Sequence, residues 1–217
     1  MPVTAGEVLT AARDVHPAFD WRRNPDPVLL RFLNRYHRAL CGKAVHRNES
    51  ILAQEQVVPL PLAVFADGIA LPAYQYLHGA TLVLVMDPTD KRPLEIVPWA
   101  HRYDPGKFPA AWIHGDHLYL RGEATDWVAW GSIVLSYTPI APDITAVTDT
   151  FLLPDTALAC LVAATAAYMG TRGAADPGLP RIPLEALKIE AAQAEEDFLN
   201  DVFLRRGAQT IRTREVW

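Results

Sequence analysis

The chain has 217 residues, half of them apolar and 21% charged, which is enough for one sizeable core with a small additional layer. Its formal net charge of -5 gives no general attraction to phosphate and excludes a simple charge-driven nucleic-acid binder, unless the charge is segregated. Some segregation exists, because residues 13–47 are rich in arginine and residues 185–201 are acidic. The composition predicts a soluble globular protein.

The two cysteines and the N-terminal sequence indicate the cellular compartment in which the protein is expected. Cys41 and Cys160 both lie in predicted helices and have no metal-ligand spacing, so we expect two buried thiols in a reducing environment. The first 19 residues contain no basic leader followed by an apolar run, so no export signal is predicted. We expect the protein to be made and used in the cytoplasm.

Two helices are predicted before residue 45. The first spans 4–14, with Thr4 as its N-cap and Glu7 as the capping-box partner. The second begins at Asp26-Pro27, because proline is favoured in the first turn of a helix, and spans 27–44. Its apolar face is opposed by a stripe of arginines at positions 31, 35 and 38.

From about Ser50 the spacing of apolar residues changes from helical to strand-like. The candidate strands are 57–65, 69–77, 81–87, 93–99, 111–122 and 131–139. Gly68 and Gly115-Asp116 fit turns, and the many prolines favour strand ends and edges. The pattern predicts an antiparallel β unit, either a small sandwich or a barrel.

The most apolar stretch is DTFLLPDTALACLVAATAAYMGTRG, residues 149–173. Its nearly unbroken apolar run, 157–169, is shorter than the roughly 20 residues that span a bilayer, so no membrane helix is predicted. Pro154 and Asp155 favour a helix start, and Gly170 and Gly173 favour its end. A helix that is apolar on all sides must be covered either by the rest of the chain or by other subunits.

The last predicted helix runs from Leu184 to Arg206 and ends at Gly207. The segment that follows, 207–217, carries Ile211, Val216 and Trp217 but has no pattern able to close a core of its own. We therefore expect either a frayed end or a segment that docks on another protein.

Few residues suggest chemistry. His101, His114 and His117 form a possible zinc or iron site, although their spacing is more typical of surface histidines. No nucleophile motif, P-loop or dinucleotide fingerprint is present in the sequence. A carbohydrate groove is the other binding hypothesis, although in a β unit such tryptophans more often pack the core; the residues concerned are Trp99, Trp112, Trp127 and Trp130.

The order of segments carries a resemblance. Two helices, the second containing VLLRFLNRYHRAL, precede a β excursion containing IALPAYQYL, and IVLSYTPIAPDIT then leads into the alanine-rich stretch at 149–173. Over residues 4–173 this order resembles the head-tail adaptor (connector) proteins of tailed bacteriophages, in a form with a large β insertion. The shared features are an LN-containing helix, a Y-x-P strand end, an Asp-rich linker with a Leu-Pro step, and an Ala-rich helix ending near Arg-Gly.

The resemblance implies an α+β fold. A helical adaptor domain comprises 1–49 and 141–206, an inserted β domain comprises 50–140, and an extended C-terminal docking tail comprises 207–217. The helical layer contains the two N-terminal helices, the Ala-rich helix and the C-terminal helix.

The resemblance also implies a role without catalysis, cofactor or metal. The expected assembly is a homomeric ring, commonly of twelve copies, that joins the portal protein to the tail or tail-terminator protein and lets DNA pass without sequence-specific binding. The expected location is the neck of the virion, after assembly in the host cytoplasm. A tail-terminator or other neck protein remains an alternative, as does a metal- or carbohydrate-binding β-domain protein.

Two sets of contact residues follow from these expectations. Portal docking is assigned to Ile211, Arg212, Arg214, Val216 and Trp217. Contacts between subunits are assigned to Leu158, Leu161, Val162, Tyr168, Arg31 and Arg35. The arginine stripe has three open interpretations, namely a solvated face, the lining of a lumen, or a surface that meets an acidic neighbour.

Overall fold

The computed structural model describes residues 2–60, 68–87, 89–102, 109–122, 127–173 and 182–214, the last nine of these by their backbone only. The fold is α+β. The chain divides into two compact units, the first formed by Met1–Leu52 with Ala141–Trp217 and the second by Ala53–Ile140. We call these the helical unit and the β unit.

Helix α1, Ala5–Asp14, has the predicted capping box. The Thr4 hydroxyl accepts a hydrogen bond from the Glu7 backbone N–H at 3.2 Å, and the Glu7 carboxylate accepts one from the Thr4 N–H at 2.8 Å. These bonds satisfy donors that a helix start otherwise leaves unpaired. The helix buries Val8 and Leu9 in the core of the helical unit.

Helix α2, Asp26–Arg47, begins at the predicted Asp-Pro pair and ends three residues later than predicted. Its buried face includes Leu29, Leu33 and Leu40. The Arg13 guanidinium connects α1 to the start of α2, because it donates to the Asn24 carbonyl at 2.9 Å and pairs with the Asp26 carboxylate.

Helices α3 and α4 complete the helical unit. Helix α3, Leu158–Gly173, follows a single turn of 3-10 helix at Asp155–Ala157, and it packs against α1, α2 and α4. Helix α4 spans Leu184–Arg214.

The prediction that Gly207 ends the last helix is wrong, because α4 continues through it to Arg214. One glycine inside a helix costs only about 1 kcal/mol, and the arginine, alanine and glutamine around this one are good helix formers. The expected extended tail is therefore helical over 207–214. Residues 215–217, with Val216 and Trp217, lie outside the described residues.

The β unit contains one seven-stranded sheet with the order β1-β7-β3-β4-β5-β6-β2. Its strands are β1 Gln54–Pro59, β2 Ile69–Ala70, β3 Tyr74–Leu84, β4 Lys91–Val97, β5 Ala110–His114, β6 His117–Leu120 and β7 Trp130–Pro139. The β unit has an apolar core separate from that of the helical unit, and it includes Leu82, Leu118, Ile133 and Leu135.

The sheet differs from the predicted antiparallel sandwich or barrel. Strands β4 and β5 pair in parallel, whereas the other described pairs are antiparallel. A parallel pair needs a connection of about a dozen residues, and residues 98–109 supply one. The sheet is therefore mixed, and the described strands belong to a single sheet.

Strand boundaries also shift around two short segments. The predicted strand 69–77 is interrupted by Leu71-Pro72-Ala73, where proline removes a backbone donor. Strand β3 instead continues through His78-Gly79-Ala80 and joins two predicted strands into one. The hairpin at Gly115-Asp116 forms as predicted, with Gly115 at a φ of 62°. In the predicted strand 57–65, residues 61–65 lie outside the described residues.

Candidate interaction surfaces

Helix α3 is largely covered by its own chain. Half of its residues are buried, and its apolar side chains belong to the same core cluster as those of α1, α2 and α4. Leu161 is fully buried, so the prediction that it contacts another subunit is wrong. The helix pattern alone does not distinguish cover by neighbouring helices from cover by neighbouring subunits.

The other predicted contact residues of α3 reach the surface. Leu158 is 37% exposed, while Val162 and Tyr168 are partly exposed. They therefore remain available to a partner, unlike Leu161.

An aromatic groove lies between α2 and α3, with a volume of about 270 Å³. Its lining residues are Val28, Arg31, Phe32, Arg35 and Tyr168. The Phe32 and Tyr168 rings stack with centroids 4.3 Å apart and planes within 7° of parallel. Arg31 and Arg35 are exposed beside them, and Arg31 donates from Nε to the Pro27 carbonyl at 3.1 Å. The groove therefore has an apolar floor and a cationic rim.

An acidic groove lies along α1 and the start of α3, with a volume of about 600 Å³. It includes Thr4, Glu7, Thr10, Ala11, Asp14 and Leu158. The capping bonds from Thr4 lower the pKa of Glu7, which keeps its carboxylate ionised at neutral pH. Asp14 is exposed at the far end of α1. This groove has an apolar centre at Leu158 and an anionic rim.

A polar network joins α2, α3 and α4 behind these grooves. The Tyr36 hydroxyl lies 3.2 Å from the Cys160 sulfur and donates to the Glu195 carboxylate at 2.9 Å. Lys43 pairs with the other oxygen of Glu195. Burial raises the pKa of Tyr36 and of the Cys160 thiol, so both stay protonated at neutral pH. Cys160 is therefore a neutral packing and hydrogen-bonding group.

The linker at 141–153 is held against α2 by two side chains. The Asn34 side chain accepts from the Ile144 N–H at 3.1 Å and donates to Asp143 at 3.2 Å. His37 is fully buried and accepts from the Leu152 N–H at 3.2 Å. Burial lowers the pKa of His37 to about 4, which keeps the ring neutral.

Sequence reasoning placed Tyr36 on the apolar face of α2 and did not predict a polar contact for Tyr36 or for His37. The signal for His37 was its position among Leu33, Leu40 and Cys41, at the helical spacing of the buried face of α2. A polar residue at such a position needs an internal hydrogen-bond partner, and His37 finds it in the linker.

The C-terminal part of α4 carries exposed apolar side chains. Val202 is fully buried, but Phe203 and Leu204, directly after it, are 53% and 72% exposed. The predicted portal-docking residues Ile211, Arg212 and Arg214 lie further along the same helix, at positions described by their backbone only.

In the β unit, the four predicted sugar-binding tryptophans have different surroundings, and the partly exposed Trp112 stacks on Tyr119 with ring centroids 5.9 Å apart. Trp127 and Trp130 are buried, and both belong to the core of the sheet. Trp99 is 44% exposed, but the His114 ring stacks on it at 4.3 Å and the Arg102 guanidinium carbon lies 3.8 Å from its centroid. Since a sugar needs a free aromatic face, this packing does not favour a carbohydrate groove at Trp99.

The histidines of the predicted metal site have other neighbours. His114 and His117 face each other across the β5–β6 hairpin, and His117 Nδ1 lies 2.7 Å from an Asp116 carboxylate oxygen. The described part of the chain contains no group of three or more potential ligands able to hold a metal ion. The His101, His114 and His117 hypothesis therefore gains no support from the geometry.

Comparison with protein-family models gives no match, and comparison with curated proteins gives no match either. None of the helices in the described ranges is both long enough and apolar enough to cross a membrane.

Proposed function

We propose that this chain is a structural, non-enzymatic head-to-tail adaptor of a tailed bacteriophage neck. The order of its elements supports the proposal, because α1 and α2 precede the β unit while α3 and α4 follow it, and the four helices share one core. This is the order expected of an adaptor with a β insertion.

The observation that carries the proposal is the attachment of the linker that returns from the β unit. Asn34, within the LN step of α2, holds Ile144 and Asp143, and His37 holds Leu152. Sequence features that define the resemblance, the LN helix and the Asp-containing linker, thus contact each other in the helical unit. Because Asn34 and His37 lie far from the linker in the sequence, these contacts support the resemblance independently of the order of the elements.

In this proposal the helical unit forms a ring of twelve copies, the common number in the adaptor family, which stacks on the portal and lets DNA pass through its centre. The β unit contacts either the tail or the exterior of the neck. The protein is assembled in the host cytoplasm and resides in the virion. A tail-terminator role remains the alternative within the same particle, and it differs in binding the tail without binding the portal.

The C-terminal part of α4 is the proposed portal contact. Exposed apolar residues near the end of a helix suit docking on a partner, since water contact with Phe203 and Leu204 is unfavourable in the free chain. The proposed docking residues Ile211, Arg212, Arg214, Val216 and Trp217 follow in the sequence.

Deletion of residues 208–217 tests this contact. Since Val202 is the last residue of α4 described as buried, we expect the shortened chain to keep its fold and to lose capture by immobilised portal protein. Circular dichroism checks the fold, and the amount of chain retained by the immobilised portal protein measures the binding. Capture of the shortened chain at the wild-type level would contradict the assignment.

A matched pair of single substitutions refines the test. Leu204→Glu and Ile189→Glu each place a carboxylate at an exposed apolar position of α4, with original exposures of 72% and 66%. We expect Leu204→Glu to weaken portal binding and Ile189→Glu to leave it unchanged. Equal effects of the two substitutions would argue against a docking site at the end of the helix.

A further inference from the structure

We propose that the aromatic groove of one copy receives the acidic groove surface of the next copy, so that α2 of one subunit meets α1 of its neighbour. This inference rests on the proposed ring and names its contact. The occupant of each groove is therefore a second copy of this chain, which the two grooves suit by their charge, their apolar surface and their positions around α3.

The two grooves have matching construction and opposite charge. The aromatic groove presents the Phe32–Tyr168 stack between two arginines, and the acidic groove presents Leu158 between two carboxylates. An apolar centre surrounded by a complementary charged rim is the usual organisation of a specific protein interface.

Several other charged side chains of the helical unit pair within the chain. Arg38 pairs with Asp143, Lys43 with Glu195, and Arg205 with Asp201. By contrast, no carboxylate in the described part of the chain forms an ion pair with Arg31 or Arg35. The arginines on the rim of the aromatic groove are thus available for an acidic partner.

The proposed contact is head-to-tail and uses the two grooves on two different neighbours. Leu158 begins α3 and Tyr168 lies ten residues later, which corresponds to about 15 Å along the helix axis and a turn of roughly 80° around it. The two grooves are therefore separate patches of one subunit. When each copy uses its two patches on two different neighbours, assembly propagates into a ring or a filament, whereas reciprocal pairing of both patches with one partner closes a two-fold dimer.

Cysteine cross-linking tests the contact in the full chain. Thr10→Cys places a thiol in the acidic groove and Val28→Cys places one in the aromatic groove, while the native Cys41 and Cys160 are buried. With the oxidant copper phenanthroline, we expect a chain carrying both substitutions to form a ladder of disulfide-linked oligomers. An equal mixture of the two single variants should give cross-linked dimers only.

Charge reversal tests the same contact without a covalent link. Arg31→Glu with Arg35→Glu should weaken self-association by about tenfold or more, measured by sedimentation velocity. Glu7→Gln with Asp14→Arg should do the same from the other side, and glutamine retains the capping interaction. The aromatic groove of the first variant is now acidic and the α1 groove of the second now carries an arginine, so these two surfaces attract each other. An equal mixture of the two variants should therefore assemble again as alternating copies.

A matched control changes charge elsewhere. Arg22→Glu with Arg47→Glu makes the same net change at exposed positions outside both grooves, and we expect it to leave self-association unchanged. Only monomers or only dimers after oxidation of the double-cysteine chain, or no recovery on mixing the charge variants, would overturn the inference. Portal capture is measured separately, so loss of the contact between copies is distinguishable from failure of the adaptor proposal.

Discussion

The substitution Leu161→Ala tests whether α3 is stabilised by its own chain. Leu161 is fully buried and belongs to the core shared by the four helices. Replacement of a buried leucine by alanine costs about 2–5 kcal/mol, and we expect the upper part of that range because helices on several sides of α3 limit collapse around the cavity. For a chain of this size, a loss of about 3.5–5 kcal/mol should lower the thermal midpoint by roughly 7–20 °C.

The matched control is Leu158→Ala, three residues earlier on the same helix. Since Leu158 is 37% exposed, its truncation should cost at most about half as much folding free energy, while it removes the apolar centre of the acidic groove. Urea unfolding of monomeric protein, followed by far-ultraviolet circular dichroism, measures both variants. A Leu161→Ala chain within about 1 kcal/mol of wild type would refute the assignment of Leu161 to the internal core.

Two further substitutions probe the polar contacts of α2. Tyr36→Phe removes the bond to the Glu195 carboxylate and should lower the free energy of unfolding by about 1–2 kcal/mol, measured by urea titration at pH 7; an unchanged urea midpoint would contradict this contribution. His37 has a folded pKa of about 4, below its ordinary value of 6.5, so the unfolded chain binds the extra proton and stability falls as pH decreases from about 6.5 towards 4. His37→Gln should remove about 1 kcal/mol of the difference in unfolding free energy between pH 7 and pH 5.5, and an identical pH dependence in the two proteins would contradict the assignment.

Local signals in the sequence predicted several elements correctly. The Thr4–Glu7 pair, the Asp26-Pro27 step and the Gly115-Asp116 turn each act through neighbouring backbone groups, so their effect is visible in a short window. The change of apolar period near Ser50 likewise precedes the β unit, which begins at Ala53.

The features that sequence reasoning missed depend on distant parts of the chain. The parallel pairing of β4 with β5 depends on how two separate segments come together, and the alternation of apolar residues within either strand does not specify the direction of its neighbour. The burial of Leu161 depends on which helices pack around α3, and the apolar pattern specifies only that something covers it. Helix α4 continues past Gly207 because the residues around this glycine together favour a helix.

The candidate surfaces were predicted in part. Arg31, Arg35 and Tyr168 come together in one groove, but their grouping depends on the packing of α2 against α3. Phe32 was not predicted as part of that surface, although its spacing from Val28 and Arg35 places all three on one side of α2. The acidic groove arises from α1 and the start of α3, which are far apart in the sequence.

Single-particle electron microscopy of the full chain mixed with portal protein tests the adaptor proposal most directly. The account predicts a closed ring of this protein stacked coaxially on the portal, with α1 of each copy against α2 of the next. Portal rings without this protein, beside free monomers of the chain supplied in large molar excess, would contradict the adaptor proposal.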